Sequence, residues 1–272
     1  MRATMTFIGT ATVLLRLGSV TLLTDPNFLH RGERAYLGYG LFAKRCTEPA
    51  WGIEQLPELD AVVLSHMHGD HFDRRARRGL ARETPVLTTP HAARRLSKWG
   101  FSEAQGLHPW QAETLQRGSE HVRVTAVPAQ HGPAGFHRLL PPVMGSIVDY
   151  VRDGSTELRL YITGDTLFRS ALWEIPQRFP DIDAMIVHLG GTRILGVLVT
   201  MDGRQGAGLV RAMRPSTALP VHFDDYTVFR SSPEEFRREC ERYSARSRIR
   251  TISRGEEVEL PQRENRSGAR SG

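Results

Sequence analysis

The stretch AVVLSHMHGDHFD, residues 61–73, sets three histidines and two aspartates directly behind a short apolar run. The run is too short and too β-branched for a helix and reads as a buried strand, so the residues after it occupy the loop at the strand's end. There His66, His68, Asp70 and His71 place four ligand-type side chains within six positions. Imidazole nitrogen and carboxylate oxygen are the donors zinc takes, and a catalytic site keeps one position open for water. Two histidines at i and i+2 can converge on one ion, and Gly69 lets the loop turn so that Asp70 and His71 face a second. The ordinary alternative, a histidine-rich turn, requires four such side chains to cluster by accident.

The same context recurs along the chain. His131 follows the strand-like VTAVPA, Asp165 ends LYITG, and His222 ends STALPV. Each is a candidate ligand just beyond an apolar strand, where sandwich-type α/β folds put their active-site groups.

Around these points the chain alternates. The first 25 residues read as short strands with a turn at Gly18-Ser19, and residues 26–57 as an irregular packed loop rich in glycine and aromatics. From Asp60 onward strands (AVVLS, PVLTT, HVRVTAVPA, GSIVDYV, ELRLYITGD, IDAMIVHLGG, STALPVHF) are interleaved with helices (FDRRARRGLAR, HAARRLSKW, GRQGAGLVRAM). Ser232-Pro233-Glu234-Glu235 is a capping box with proline at the first helical position, and RTISRGEEVEL is expected to close the fold as a strand. Two runs of strands, each followed by strand–helix alternation, predict an α/β protein of two packed sheets with helices outside. With 272 residues, 40% of them hydrophobic, and no repeat or linker, residues 1–260 form one domain; the polar, glycine-rich residues 261–272 are expected to be a disordered tail.

The set His66, His68, Asp70, His71, His131, Asp165 and His222, together with FIGTATVLL, LLTDP and PVHFDDY, resembles the metallo-β-lactamase superfamily of metal-dependent hydrolases over nearly the whole chain. Within it the sequence is most similar to the branch holding ascorbate-6-phosphate lactonases and the phospholipase D that hydrolyses N-acylphosphatidylethanolamine. The resemblance implies a four-layer αββα sandwich with His66, His68 and His131 on one metal ion, Asp70, His71 and His222 on a second, and Asp165 bridging. It implies a hydrolase that cleaves a phosphodiester, a lactone or another carboxylic ester with a metal-bridging hydroxide. Two ions about 3.5–4 Å apart can clamp attacking and leaving oxygens, and coordination brings the pKa of water towards ~7. Asp70 would also orient the hydroxide and collect its proton. The donor set favours zinc, with manganese or iron as alternatives. His68 stands where the di-iron members of the superfamily carry a glutamate, which favours hydrolysis over redox chemistry. Thr10 and Thr200 replace two histidines common in the branch, which detaches the substrate from any named relative.

Secondary candidates surround this set. His188, at a strand end in IVHLGG, could protonate a leaving group, or be an ordinary strand-end histidine. Asp25 in TDP could buttress a metal-bound histidine, or form the turn before Pro26. His91 and His137 read as helix-start and loop residues. The aromatics of 26–57, with GFHRLLPPVMG opposite, could line a pocket for a substrate with an apolar part.

All but two of the 36 basic residues are arginine and the net charge is +6. This balance fits solvated helix faces; its sharper reading is attraction of an anionic small molecule or a peripheral contact with an anionic membrane. The run DRRARR has no interleaved aromatics and no clamp domain accompanies it, so a nuclease of the superfamily is the weaker alternative, as is a non-catalytic metal-stabilised binding module. Cys46 and Cys240 form no CxxC pair, no run approaches a membrane span, and MRATMTFIGT has no signal-peptide pattern; a reduced, cytoplasmic setting is expected.

Overall fold

The computed structural model describes residues 2–263. Two seven-stranded sheets carry the chain. In the first, Ala3–Gly9, Thr12–Leu17 and Val20–Thr24 form an antiparallel meander, extended in parallel by Ala61–Val63, Val86–Thr88 and Ala104–Gly106. In the second, Ala112–Arg117, Glu120–Pro128, Met144–Arg152 and Ser155–Ile162 run antiparallel, and Ala184–His188, Thr217–Val221 and Arg248–Ile249 continue in parallel.

The layering follows from the two-residue period of strands. Val13, Leu15 and Leu17 point into the core shared by the two sheets, while Leu14 points to the helices on the outer side. Ala61 and Val63 face the shared core and Val62 the outer one; Ala184 and Ile186 face the shared core and Met185 and Val187 the other outer layer. Strands covered on both faces are continuously apolar, which is why these runs carry no polar alternation. Helices Arg74–Gly79 and Pro90–Lys98 cover the first sheet; Glu174–Arg178, Gly203–Met213 and Pro233–Arg242 cover the second. The result is an αββα sandwich. Its helices start where capping chemistry dictates: Asp73, Thr89, Asp202 and Ser232 each accept backbone N–H groups of the first turn.

Three local expectations are corrected. The region 26–57 contains a hairpin, Arg34–Gly38 with Leu41–Lys44. Of the closing segment RTISRGEEVEL only Glu257–Glu259 is a strand, beside Ala3–Gly9, and Arg248–Ile249, just before the segment, pairs with Thr217–Val221 in the other sheet. The box at Ser232 is half made: its hydroxyl accepts from the Glu235 amide, but the Glu235 carboxylate accepts from Ser231 Oγ instead of returning to Ser232. At the C-terminus Arg263 donates to Asp183, and the remainder of the expected tail lies outside the described residues. No helix among the described residues is long and apolar enough to cross a membrane.

Candidate metal centre

The parallel strands of both sheets end on one side of the sandwich, and the donor residues collect there. Asp25 follows Val20–Thr24, the HMHGDH loop follows Ala61–Val63, Asp165 follows Ser155–Ile162, and His222 follows Thr217–Val221. His131 arrives from Glu120–Pro128, which two antiparallel pairings bring round to the same direction.

All seven expected ligands are buried and meet. His66 Nε2 lies 3.0 Å from His68 Nδ1, and His66, His68 and His131 each offer a nitrogen within 4.8 Å of the others. Asp70, His71 and His222 form a second such group, and His66, His71 and Asp165 a third. Asp165 touches both sides. Its Oδ2 is 3.5 Å from His71 Nε2 and 4.0 Å from His131 Nε2, and its Oδ1 is 3.5 Å from His222 Nδ1. Asp70 Oδ2 lies 3.4 Å from His222 Nε2.

Hydrogen bonding inside the protein leaves this cluster unfinished. Asp70 Oδ1, His71 Nε2, Asp165 Oδ1 and His222 Nδ1 are buried without a hydrogen-bond partner. Buried polar atoms left so cost about 1–3 kcal/mol each, and a divalent cation satisfies carboxylate and imidazole lone pairs together. The charge pattern agrees. Burial holds His66 well below the usual imidazole range, with His71 and His68 adding to the effect, and brings His68 down to about 3. Such rings are neutral at pH 7, as ligation requires. His71 goes the other way: burial opposes its charge, but Asp165, Asp25 and Asp70 outweigh burial and push it well above the ordinary value. Three carboxylates around one imidazole demand positive charge, which a proton or a metal ion can supply. The residues fit a metal.

Supporting contacts fix the rings. His131 Nδ1 donates to Val199 O at 2.8 Å, leaving Nε2 for the centre. Asp25 Oδ1 accepts from Ser65 N at 2.7 Å and Ser65 Oγ at 2.9 Å, and its Oδ2 is 3.2 Å from His71 Nδ1. Burial opposes ionisation of Asp25, but His71 and His188 outweigh it and hold the carboxyl at about 2. Asp25 is therefore the buttress of His71, not merely a turn residue.

His188 packs beside the expected ligands, in a group with Asp25 and His71 whose donor atoms lie within 4.8 Å of one another. It is fully buried, stacks on His71 with ring centroids 6.0 Å apart, places Nδ1 3.1 Å from Thr163 Oγ1 and turns Nε2 towards Asp25 at 3.5 Å. Enclosed there it helps hold Asp25. His91 sits in the first turn of Pro90–Lys98, and His137 in the single turn Phe136–Leu139.

Several residues that position the centre carry no strong sequence signal. Thr200 Oγ1 donates to Asp165 Oδ2 at 3.0 Å. Thr10 accepts the His222 amide on its carbonyl at 2.7 Å and donates its own amide to Asp225 Oδ2 at 2.7 Å. Asp225 is held by Arg254 and by the fully buried Arg45, whose guanidinium also binds Asn27. Thr10, Asp25 and His222 all have φ in the left-handed region, at 55°, 35° and 61°, strain that this network holds in place. Asn27 Nδ2 in turn donates to Gly69 O at 2.9 Å. Gly69 is required for a different reason than a sharp turn: a Cβ there would lie 2.7 Å from Tyr36 N and O, where the hairpin backbone crosses the loop.

A cleft of about 770 Å³ opens beside His68 and Gly69, walled by the hairpin, by helix residues His91, Arg95 and Trp99, and by 138–142.

A family model described as "Beta-lactamase superfamily domain" matches residues 21–223. The chain belongs to the beta-lactamase superfamily. Relatives that it matches are described as metal-dependent hydrolases. The chain is 30% identical over 192 residues to a "UPF0173 metal-dependent hydrolase" of Anaeromyxobacter sp. (strain K), spanning 68% of this chain and 66%, just under two thirds, of that relative. A protein of the same description from Pelotomaculum thermopropionicum is 26% identical over 260 residues, covering 94% of this chain and 99% of the relative. Among solved structures, a possible metal-dependent hydrolase from Veillonella parvula superposes with a TM-score of 0.79 at 21% identity, over 96% of this chain and all of that one, which supports the superfamily fold.

Proposed function

We propose that the chain is a dinuclear-metal hydrolase that cleaves an ester-like bond, a phosphodiester or a lactone or other carboxylic ester. The observation that carries this reading is Asp165, whose two carboxylate oxygens face donors on both sides of the cluster, His71 and His131 through Oδ2 and His222 through Oδ1. His66, His68 and His131 would hold one ion and Asp70, His71 and His222 the other; the donor set of imidazoles with few carboxylates favours zinc. When bound, the metals supply a water acidic enough to be a nucleophile at neutral pH. The chain's own groups do the rest. Neutral His66, His68 and His131 keep their lone pairs inward, Asp25 and Val199 O fix His71 and His131, and Thr200 orients Asp165. Burial raises Asp70 but the His71, His222 and His68 rings outweigh it, so this carboxylate stays ionised, and its unpartnered Oδ1 can take a proton from the attacking water.

The test is hydrolysis of bis(4-nitrophenyl) phosphate, 4-nitrophenyl acetate and a simple lactone by the purified protein before and after chelation. Activity on at least one should disappear with the chelator, return with zinc, and be absent in His66→Ala. Full activity after metal removal would refute the proposal.

A further inference from the structure

We infer that the cleft beside His68 binds a small anionic amphiphile: an ester whose phosphate-type anion lies on an arginine wall and whose apolar chain lies on the hairpin. The inference rests on the hydrolase reading for where the scissile bond sits, but the binding surface is argued independently.

The arginine wall lacks its counter-charges. Arg34, Arg74, Arg77, Arg95 and Arg138 line the cleft. Arg74 pairs with Glu33. No ion pair to the other four is found among the described residues. The one carboxylate in the wall, Asp73, is consumed by the backbone: Oδ1 accepts from Arg75 and Ala76, Oδ2 from Phe28 and Leu29. Two of the free guanidiniums converge on one ring, Arg77 at 4.3 Å and Arg95 at 4.9 Å from the centre of Trp99. Each contact is a favourable cation–π interaction, but gathering like charges in a concave wall is unfavourable unless an anion is shared between them. Guanidinium forks are suited to that anion, because they match phosphate oxygens two at a time. Arg77 belongs to the DRRARR run, so part of that run serves the cleft and not only a solvated face.

The same lining carries apolar side chains open to solvent. Tyr36 and Phe42, with ring centroids 5.2 Å apart, are 46% and 58% exposed, and Leu139, which also lines the cleft, is 54% exposed. Large apolar side chains left exposed together at the rim of a site mark a binding surface. A phosphate alone would leave them in water, and a neutral alkyl ester would leave the arginines unpaired. Only a molecule with both parts satisfies the arginines and the apolar side chains together.

The experiment is calorimetric titration of metal-loaded protein with octyl phosphate, inorganic phosphate and octyl glucoside. Octyl phosphate should bind at least about tenfold more tightly than either of the others. Arg95→Ala and Arg138→Gln should each weaken it about tenfold, the loss expected for one charge-assisted contact. Arg138 packs on no ring among the described residues, so its variant guards against misfolding of Arg95→Ala. Phe42→Ser should weaken octyl phosphate but leave inorganic phosphate unchanged. His66→Ala should retain octyl phosphate binding, which separates the arginine wall from the metal centre and stands whether or not the protein hydrolyses esters. Wild-type affinity in both arginine variants, or binding lost in His66→Ala with the arginine variants intact, would overturn the inference. Equal affinity for octyl phosphate and inorganic phosphate would overturn its apolar half.

Discussion

Replacing Asp25 by asparagine keeps the size of the side chain and removes its charge. In the native protein one oxygen accepts two hydrogen bonds from Ser65, at 2.7 and 2.9 Å, and the other faces His71 Nδ1 at 3.2 Å. An amide has one acceptor oxygen. If that oxygen stays with Ser65, the NH₂ points at His71 and forces the ring to present its proton on Nε2, the atom that faces Asp165 and Asp70. If it turns to His71, the NH₂ meets the Ser65 amide. Either way one charge-assisted contact, worth about 1.5–3 kcal/mol, is lost at a proposed metal ligand. That converts to about 10- to 100-fold in metal affinity, the range usual for such supporting carboxylates. Competition against a zinc-binding dye measures it, with urea unfolding of the metal-free protein as the control for plain destabilisation. Wild-type zinc affinity in Asp25→Asn would refute the view that Asp25 sets the proton position on His71.

Other consequences are independent of the metal. Arg45→Met should destabilise the protein by about 3 kcal/mol, the lower end for breaking a buried pair because Asp225 keeps Arg254; urea unfolding giving under about 1 kcal/mol would contradict the network. Gly69→Ala should push Tyr36 away from the loop and speed limited proteolysis within the hairpin, since no Cβ fits there without displacing backbone. Glu120 is held at about 2 by Ser19, by the Tyr150 hydroxyl and by the Arg152 guanidinium, below its ordinary 4.5. A carboxylate with a depressed folded-state pKa stabilises above 4.5 and loses that contribution as pH falls towards 2. Glu120→Gln should therefore lower the urea midpoint at about pH 6 and converge with wild type between pH 4.5 and 2, and a constant gap across this window would disprove the assignment.

What the sequence made legible, and what it hid, has physical causes. Strands such as Ala61–Val63 and Ala184–His188 are covered on both faces, so their continuous apolar runs identify them without the rest of the fold. The seven proposed ligands are legible because they stand in loops at the ends of apolar strands. The hairpin is hidden because its pattern is inverted: Ala35 and Ala43 are buried while Tyr36, Leu41 and Phe42 face out. The final segment reads as one strand across Ile252 and Val258, yet a turn at Gly255, φ 83°, interrupts it and only Glu257–Glu259 pairs. Arg45 and Asp225 stand far apart in sequence, and nothing distinguishes one buried arginine among so many; only their meeting beneath Thr10 reveals the pair. His188 shares the strand-end context of the expected ligands, but its contacts with Asp25, Thr163 and His71 depend on side-chain geometry that a sequence does not carry.

The central claim, two metal sites sharing Asp165, is tested most directly by counting metal. Mass-spectrometric metal analysis of purified protein should give about two ions per chain for wild type and about one each for His66→Ala and His222→Ala, which remove a ligand from opposite sides. One ion per wild-type chain, or a full complement of two retained by either variant, would contradict the account.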